Sequence, residues 1–408
     1  MERGFPAVTV TEKAERALRG GHPWVFGEEV TALEGAPENG GIVDVRSRKG
    51  RWLGAGFYNE VSKIRVRLLS RNPNDRFDEN FWARRLRYAL EYRRAVMGAD
   101  FFSDCRLVFG EADQLPGLTV DRFGDILVTQ TLCLGLERRK ALLFPLLVRL
   151  LGEMGAPVRA VYERNDVAIR EKEGLEQGKG FFAAPGLETG LDGHVTITEN
   201  GVVYDVDYID GQKTGFFLDQ KYNRQAAARL AKGRRVLDCF THTGSFALNA
   251  AKGGAAHVTA VDISADAIAL ARANCARNGL EERMDFVTAD VFQLLTRMAA
   301  EGRRDYDFII LDPPAFTKSS ATVKNAFRGY KEINLKAMRL LPRGGYLATC
   351  SCSHFMTEPL FRRMLHDAAA DAAVSLRQIE ARQQSPDHPI LWGVPETSYL
   401  KFYLFQVV

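Results

Sequence analysis

The sequence predicts an α/β protein in three parts: a β-rich domain over 1–74, a central α+β domain over 75–189, and a doubly wound parallel sheet over 190–408. Three observations carry this reading. From about residue 190, short apolar runs alternate with helical stretches, the βαβα rhythm of a parallel sheet. The first 74 residues break instead into strand-like runs separated by Gly, Pro and Asn. A chain of 408 residues, 46% hydrophobic and 26% charged, has the length and composition of two or three globular domains.

Composition also excludes several classes. No stretch has the uninterrupted apolar length of a membrane span. The opening Met1-Glu2-Arg3-Gly4-Phe5-Pro6 lacks the basic-then-apolar order of a signal peptide. Six cysteines at irregular spacing do not form a disulfide framework. The expected setting is the cytoplasm, with reduced thiols and no membrane partner.

In the first domain, strands are expected at 8–10, 42–45, 52–57 and 64–68, and Arg71-Asn72-Pro73-Asn74 breaks the pattern as a linker. The net charge of +4 is mild, but Arg46, Arg48, Lys49, Arg51, Lys63, Arg65, Arg67 and Arg71 face a single acid, Glu60, within 46–71. Such a patch suits contact with an RNA phosphate backbone. A solvated strand face is the blander reading, since Arg65 and Arg67 alternate with Ile64, Val66 and Leu68.

In the central part, 78–97 reads as an amphipathic helix with Trp82, Leu86, Ala89 and Leu90 on one face. Strands at 105–109, 118–120, 126–129 and 158–162 and a helix at 138–151 accompany it, with 121–125 as a hairpin turn. This part carries no catalytic constellation and reads as a scaffold or docking domain.

The last part contains strands near 235–237, 257–261, 286–287, 308–311 and 346–349, with helices at 245–252, 265–278, 291–300 and 326–341 between them. Runs at 375–379 and 399–407 close it as an antiparallel pair. In such a sheet ligands bind beyond the carboxyl ends of the strands, where strand order reverses. The first strand leads into Asp238-Cys239-Phe240-Thr241-His242-Thr243-Gly244-Ser245, a tight loop with one glycine and an acid. That suits a ligand with positive charge to neutralise and no pyrophosphate to cradle. S-adenosylmethionine (AdoMet) has both properties. Asp262, 262 − 238 = 24 residues on, ends the second strand, where an acid accepts ribose hydroxyls. Asp290 follows the third strand and is placed for the adenine amino group. Each acid alone is more simply a cap or strand-end residue; their order after successive strands is the signal. The run 212–220 is rich in hydrogen-bonding and aromatic groups and is a candidate to close over the methionine end, or else a turn centred on Asp210-Gly211. The candidate cofactor set is therefore Lys213, Thr214, Phe217, Asp219, Asp238, Phe240, Gly244, Asp262, Ile263, Asp290 and Asp312, with no metal.

Asp312-Pro313-Pro314-Ala315-Phe316 ends the fourth strand, and Thr349-Cys350-Ser351-Cys352-Ser353 ends the fifth. In the amine-directed version of the first motif an aromatic residue follows the prolines and stacks on the base. Ala315 stands there, so that stack is missing or displaced to Phe316. Carbon 5 of a pyrimidine is a poor nucleophile until a thiolate adds at carbon 6, and a neighbouring acid stabilises the adduct by sharing a proton at nitrogen 3. A cysteine beside an acid meets both needs. Cys350 and Cys352 compete; Cys352 lies nearer the carboxyl end, where substrates bind. Both thiols as small buried residues is the plainer alternative.

The motifs resemble those of bacterial large-subunit ribosomal RNA cytosine-5 methyltransferases over nearly the whole chain. Gly20-Gly21-His22-Pro23-Trp24-Val25-Phe26 resembles the start of that family's RNA-binding PUA domain, and 110–122 its central domain. Residues 213–219, 238–246, Asp312-Pro313-Pro314 and Ser351-Cys352-Ser353 resemble its catalytic motifs. The resemblance implies a class I (Rossmann-like) AdoMet-dependent methyltransferase domain, Cys352 as nucleophile, Asp312 as its acidic partner, and ribosomal RNA as substrate; the basic patch offers Arg46, Arg48, Lys49, Arg51, Lys63 and Arg65 as the RNA contacts. A homodimer is the candidate assembly. Related RNA cytosine-5 enzymes carry a second cysteine directly after the two prolines, for product release; Ala315 replaces it here. The alternatives are methylation of another base atom, such as a guanine amine, and a non-catalytic RNA-binding protein.

Overall fold

The computed structural model describes residues 3–408. Contacts divide them into two compact units. One comprises the described residues up to Ile197 with Val206–Leu218 and Pro386–Thr397; the other comprises Thr198–Asp205, Asp219–Ser385 and Ser398–Val408.

The first unit carries two sheets. The first has six strands in the spatial order Trp24–Phe26, Ile64–Ser70, Trp52–Tyr58, Ile42–Ser47, Ala7–Val10 and Val30–Glu34. Val8, Val10, Val25, Val43, Val45 and Val66 alternate inward and bury a core under the helix Glu12–Arg19. Thr11 caps that helix by accepting from the Ala14 amide. The Cβ of any larger residue at Gly56 would lie 2.1 Å from the Arg67 carbonyl, so the strand crossing there demands glycine. This helix and the strands at 24–26 and 30–34 were not legible in the sequence: the helix is short and mostly charged, and Val30–Glu34 is largely exposed.

The expected basic surface divides on inspection. Arg67 is withdrawn from it, only 11% exposed and paired with Glu111 and Glu173. Arg46 is paired with Glu34 at 2.9 Å, and Arg65 donates to the Glu60 carbonyl. Arg71 is exposed and donates to the Leu18 carbonyl. Arg48, Lys49 and Arg51, at the turn between two strands, and Lys63 stand exposed.

The second sheet runs Lys179–Phe181, Ala160–Arg164, Ile126–Thr131, Leu118–Phe123 and Asp104–Phe109. The helix Glu79–Met97, capped by Asp78 on the Phe81 amide, buries Trp82, Leu86, Ala89 and Leu90 as its pattern predicts. It also buries Arg93, whose guanidinium donates to the Arg106 and Asp387 carbonyls at 2.9 Å and to Asp113. The turn expected over 121–125 is narrower. The strand continues through Asp121, which binds Arg106 through both oxygens, and the chain reverses at Gly124 with φ 59°.

The second unit is built on a seven-stranded sheet in the order Met284–Thr288, His257–Asp262, Arg235–Cys239, Phe308–Leu311, Tyr346–Ser351, Lys401–Val407 and Leu376–Arg382. The first five are mutually parallel; Lys401–Val407 is antiparallel to both its neighbours. Phe308, Ile309, Ile310 and Leu311 are wholly buried, as a central strand covered on both faces requires. Strand order reverses between Arg235–Cys239 and Phe308–Leu311, the switch point where such sheets bind ligands. The helices Lys221–Ala231 and Glu358–Ala372 were not anticipated. Among the described residues no helix is long and apolar enough to cross a membrane.

Arg224 on the helix Lys221–Ala231 forms a two-pronged pair with Glu199, at 2.6 and 2.7 Å, with both side chains 1% exposed. Removing one partner strands the other charge in the interior. Glu199→Gln is expected to lower unfolding free energy by about 3–5 kcal/mol, measured by denaturant melting. A cost below about 1 kcal/mol would show that water already reaches the pair.

Candidate active site

The loop after the strand Arg235–Cys239 is bent by three residues with left-handed backbone: Phe240 (φ 65°), His242 (φ 51°) and Gly244 (φ 84°). Two of them are not glycine, so the loop holds a conformation costing of order 1–3 kcal/mol at each such residue. The Asp238 side chain organises it. One carboxylate oxygen accepts from the Thr241 hydroxyl at 2.6 Å and the Ala247 amide at 3.0 Å. The other is buried and has no hydrogen-bond partner among the described residues. Burial pushes the Asp238 carboxyl up to about 7; the Thr241 and Ala247 bonds oppose this and the charge of Asp312 adds to it. A Cβ at Gly244 would meet that of Ala271 at 3.1 Å, so the position is closed to side chains on space as well as backbone.

The other two acids are first of all structural. Asp262 accepts from the His242 amide and the Ser264 amide, each at 2.9 Å, and so pins the first loop to the second strand. Beside it Ile263 stands 69% exposed, a large apolar side chain turned to solvent. Asp290 caps the helix Val291–Ala300 by accepting from the Gln293 amide at 2.9 Å.

Asp312 lies just past the strand Phe308–Leu311, half-buried, and accepts from Gln220 at 3.0 Å. Gln220 is aimed by Asn223, which donates to it at 2.6 Å, and Asn223 accepts from Arg382 at 3.2 Å. Burial and then the charge of Asp219 push the Asp312 carboxyl up to about 6, against Arg224 and the Cys350 and Gln220 hydrogen bonds. Asp219 itself is buried and accepts from the Tyr399 hydroxyl at 2.6 Å. Lys213, Thr214 and Phe217 belong to the first unit. There Thr214 donates to Asp121 at 2.6 Å and the Lys213 ammonium lies 4.6 Å from the Phe217 ring centroid.

The two thiols differ in kind. Cys350 is wholly buried inside the strand Tyr346–Ser351, its thiol hydrogen-bonded to Asp312. Burial first, and then the Asp312 charge, push its pKa well up, so it stays a thiol. Cys352 lies just past the strand and is half-exposed. Tyr330 sits beneath it with its hydroxyl between those of Ser351 (3.1 Å) and Ser353 (3.2 Å). Phe316 packs its ring on Tyr330 at 4.5 Å and on Phe292 at 5.8 Å, so the aromatic after the Asp-Pro-Pro run serves the core. Gln220 fell in the hydrogen-bonding run singled out over 212–220, without its role at Asp312; sequence reading missed Asn223, Tyr330 and Lys401. Only Lys401 left a signal, a lone cation at the head of the apolar run Phe402-Tyr403-Leu404-Phe405.

The residues at the switch point fit a ligand that brings positive charge and no phosphate. Asp238 offers an unpartnered buried oxygen, Gly244 leaves the loop backbone bare, and Ile263 offers an apolar face.

Because the folded pKa of Asp238 lies above its ordinary value, its contribution to stability is full below about pH 4 and is lost as pH rises through 7. The interval corresponds to about 4 kcal/mol. Relative to Asp238→Asn, the unliganded protein is expected to lose up to that amount between pH 4 and 8 in chemical denaturation. A stability difference that does not move with pH would place the carboxylate in a far wetter site.

Comparison with known proteins agrees with this fold. Residues 163–406 match the family model for S-adenosylmethionine-dependent methyltransferases, and residues 8–71 match that for a PUA-like domain. The chain is 40% identical over 405 residues to ribosomal RNA large subunit methyltransferase I of Klebsiella pneumoniae, covering 99% of each chain. It is 42% identical over 403 residues to the protein of the same name from Photobacterium profundum, covering 98% of this chain and 99% of that one. A structure described as a SAM-dependent methyltransferase from Streptococcus mutans superposes with a TM-score of 0.81 at 21% identity, covering 98% of this chain and 100% of that one, which supports the fold. With an N-terminal PUA-like domain, an AdoMet-dependent catalytic domain and full-length identity of this order, the chain belongs to the ribosomal RNA large subunit methyltransferase I family.

Proposed function

We propose that this AdoMet-dependent large-subunit rRNA methyltransferase modifies carbon 5 of a cytosine through a covalent adduct at Cys352. The observation that supports this best is the contrast between the thiols. Cys350 is buried with its thiol committed to Asp312, while Cys352 stands half-exposed past the strand paired with Phe308–Leu311, which Asp312 follows. AdoMet, when bound, supplies an electrophilic methyl group. Asp219, Asp238, Phe240, Gly244, Asp262, Ile263 and Asp290 are the residues of the second unit proposed to hold it.

The protein's own part is to activate the ring. The Cys352 thiol gives up its proton and the sulfur bonds to carbon 6. The displaced ring electrons make carbon 5 nucleophilic, while Asp312, raised to about 6 and so able to hold a proton near neutrality, shares it with nitrogen 3. After methylation a base takes the carbon-5 proton, and the electron pair left behind expels the Cys352 sulfur as thiolate. A fluorine at carbon 5 cannot leave as a proton does. RNA carrying 5-fluorocytosine at the target is therefore expected to remain attached to the wild type and to Cys350→Ser, and not to Cys352→Ala. Product methylated on an exocyclic amine, identified by nucleoside mass spectrometry, would replace this reading with a non-covalent one.

The proposal extends to domains: 1–74 binds RNA, 75–189 scaffolds, and 190–408 carries catalysis in the cytoplasm. Of the basic residues, Arg48, Lys49, Arg51 and Lys63 are the exposed contacts, with Arg46 and Arg65 in supporting positions. Replacing Arg48, Lys49 and Arg51 by Ala is expected to weaken RNA binding and to flatten the slope of log K against log salt by about 2, measured by filter binding. An unchanged slope removes this turn from the RNA interface.

A further inference from the structure

Lys401 opens the strand Lys401–Val407 and lies directly opposite Ser351 in the antiparallel ladder. Its side chain is buried, with the residue 7% exposed. Its ammonium donates to the Ser353 carbonyl at 2.6 Å and the Tyr399 carbonyl at 2.8 Å. These bonds fix a cation against Ser351-Cys352-Ser353, with Cys352 at the centre. An ammonium has three donors, and the two carbonyls use two of them. A buried cation is costly unless it meets negative charge, and neutral carbonyls answer only part of that cost.

We propose that Lys401 is a positioning residue for the methyl-transfer site: its ammonium favours the thiolate form of Cys352 and clamps the turn that carries it. The proposal rests on Cys352 being the nucleophile. Lys401 takes no proton from the thiol. The thiol proton goes to water, the sulfur keeps the electron pair, and Lys401 stays protonated throughout. Burial pulls the Lys401 ammonium down to about 8, while the charges of Cys352 and Glu358 act to raise it. An ammonium near this value is still charged at neutral pH.

The other groups around the site do not supply this charge. Glu358, at the head of the helix Glu358–Ala372, accepts from the Tyr403 hydroxyl at 2.8 Å. Tyr330 contributes a hydroxyl bonded to Ser351 and Ser353. Arg382, which lines a cleft of about 210 Å³ with Lys401 and Glu358, is paired with Glu380 at 3.0 Å. Asp312 and Cys350 are bonded to each other. Lys401 is a buried cation, held by the Ser353 carbonyl, whose charge interacts with that of Cys352.

The test is the pH profile of Cys352 alkylation by iodoacetamide on the full chain, read by peptide mass spectrometry. Lys401→Met is expected to move the profile up by at least one pH unit, making alkylation at pH 7 about tenfold slower, while Lys401→Arg keeps most of the wild-type rate. An unshifted profile in Lys401→Met overturns the proposal. Should that variant fail to fold, the thiolate absorbance of wild type minus Cys352→Ala serves on its own: a midpoint below the ordinary thiol value of about 8.5 supports the role, and one at or above it overturns it. Neither readout needs RNA, so the absence of a 5-fluorocytosine adduct would refute the nucleophile reading separately.

Discussion

Two carboxyl groups on neighbouring parallel strands govern the catalytic unit. Asp238 near the end of one strand is wholly buried and Asp312 just past the next is half-buried, and the proton affinity of each is raised by a neighbouring acid as well as by burial. Desolvation is the larger effect for both, so donors matter more than distance. The surrounding structure supplies them sparingly. Thr241 and the Ala247 amide serve one oxygen of Asp238, and Gln220 and Cys350 serve Asp312. The chain Arg382–Asn223–Gln220 exists to aim a single amide. What remains unsatisfied, one buried oxygen at the switch point, is matched by a ligand that brings positive charge.

This arrangement explains why two cysteines two residues apart have different chemistry. Period-two alternation puts both side chains on one face only while the strand lasts. The strand ends at Ser351, so Cys350 stays in the ladder and Cys352 does not. Cys350 then acts as a donor to Asp312, which a serine could also do at similar size. Cys352 gains exposure and a neighbourhood of hydroxyls and a fixed ammonium.

Much of the parallel sheet was legible because its strands are apolar and bounded by acids and glycines. The helix 78–97 was legible because Trp82, Leu86 and Leu90 recur at helical spacing. The helix Lys221–Ala231 was not, because it buries Arg224 and Asn223 through polar bonds and has no continuous apolar stripe. The acids were visible by position, but their bonding was not. Asp262 spends both oxygens on backbone amides and Asp290 spends one, which no spacing rule reveals. Lys401 was hidden for the same reason, since its significance lies in a strand pairing 50 residues apart, Ser351 with Lys401. Arg67 misled because alternation cannot distinguish a solvated cation from one paired with Glu111 and Glu173, which arrive from turns distant in the chain.

The strand Lys401–Val407 is inserted between two strands that precede it in the chain. Until it arrives, Tyr346–Ser351 is an open edge, with Leu347, Ala348 and Cys350 destined for full burial and no Pro or charged residue to blunt it. Such an edge is a template for pairing with other chains. The incoming strand is itself rich in aromatics, Phe402, Tyr403 and Phe405, so both halves of the ladder are adhesive before they meet. Folding of this unit is therefore a race between an intramolecular insertion and intermolecular association, and high chain concentration favours the wrong outcome.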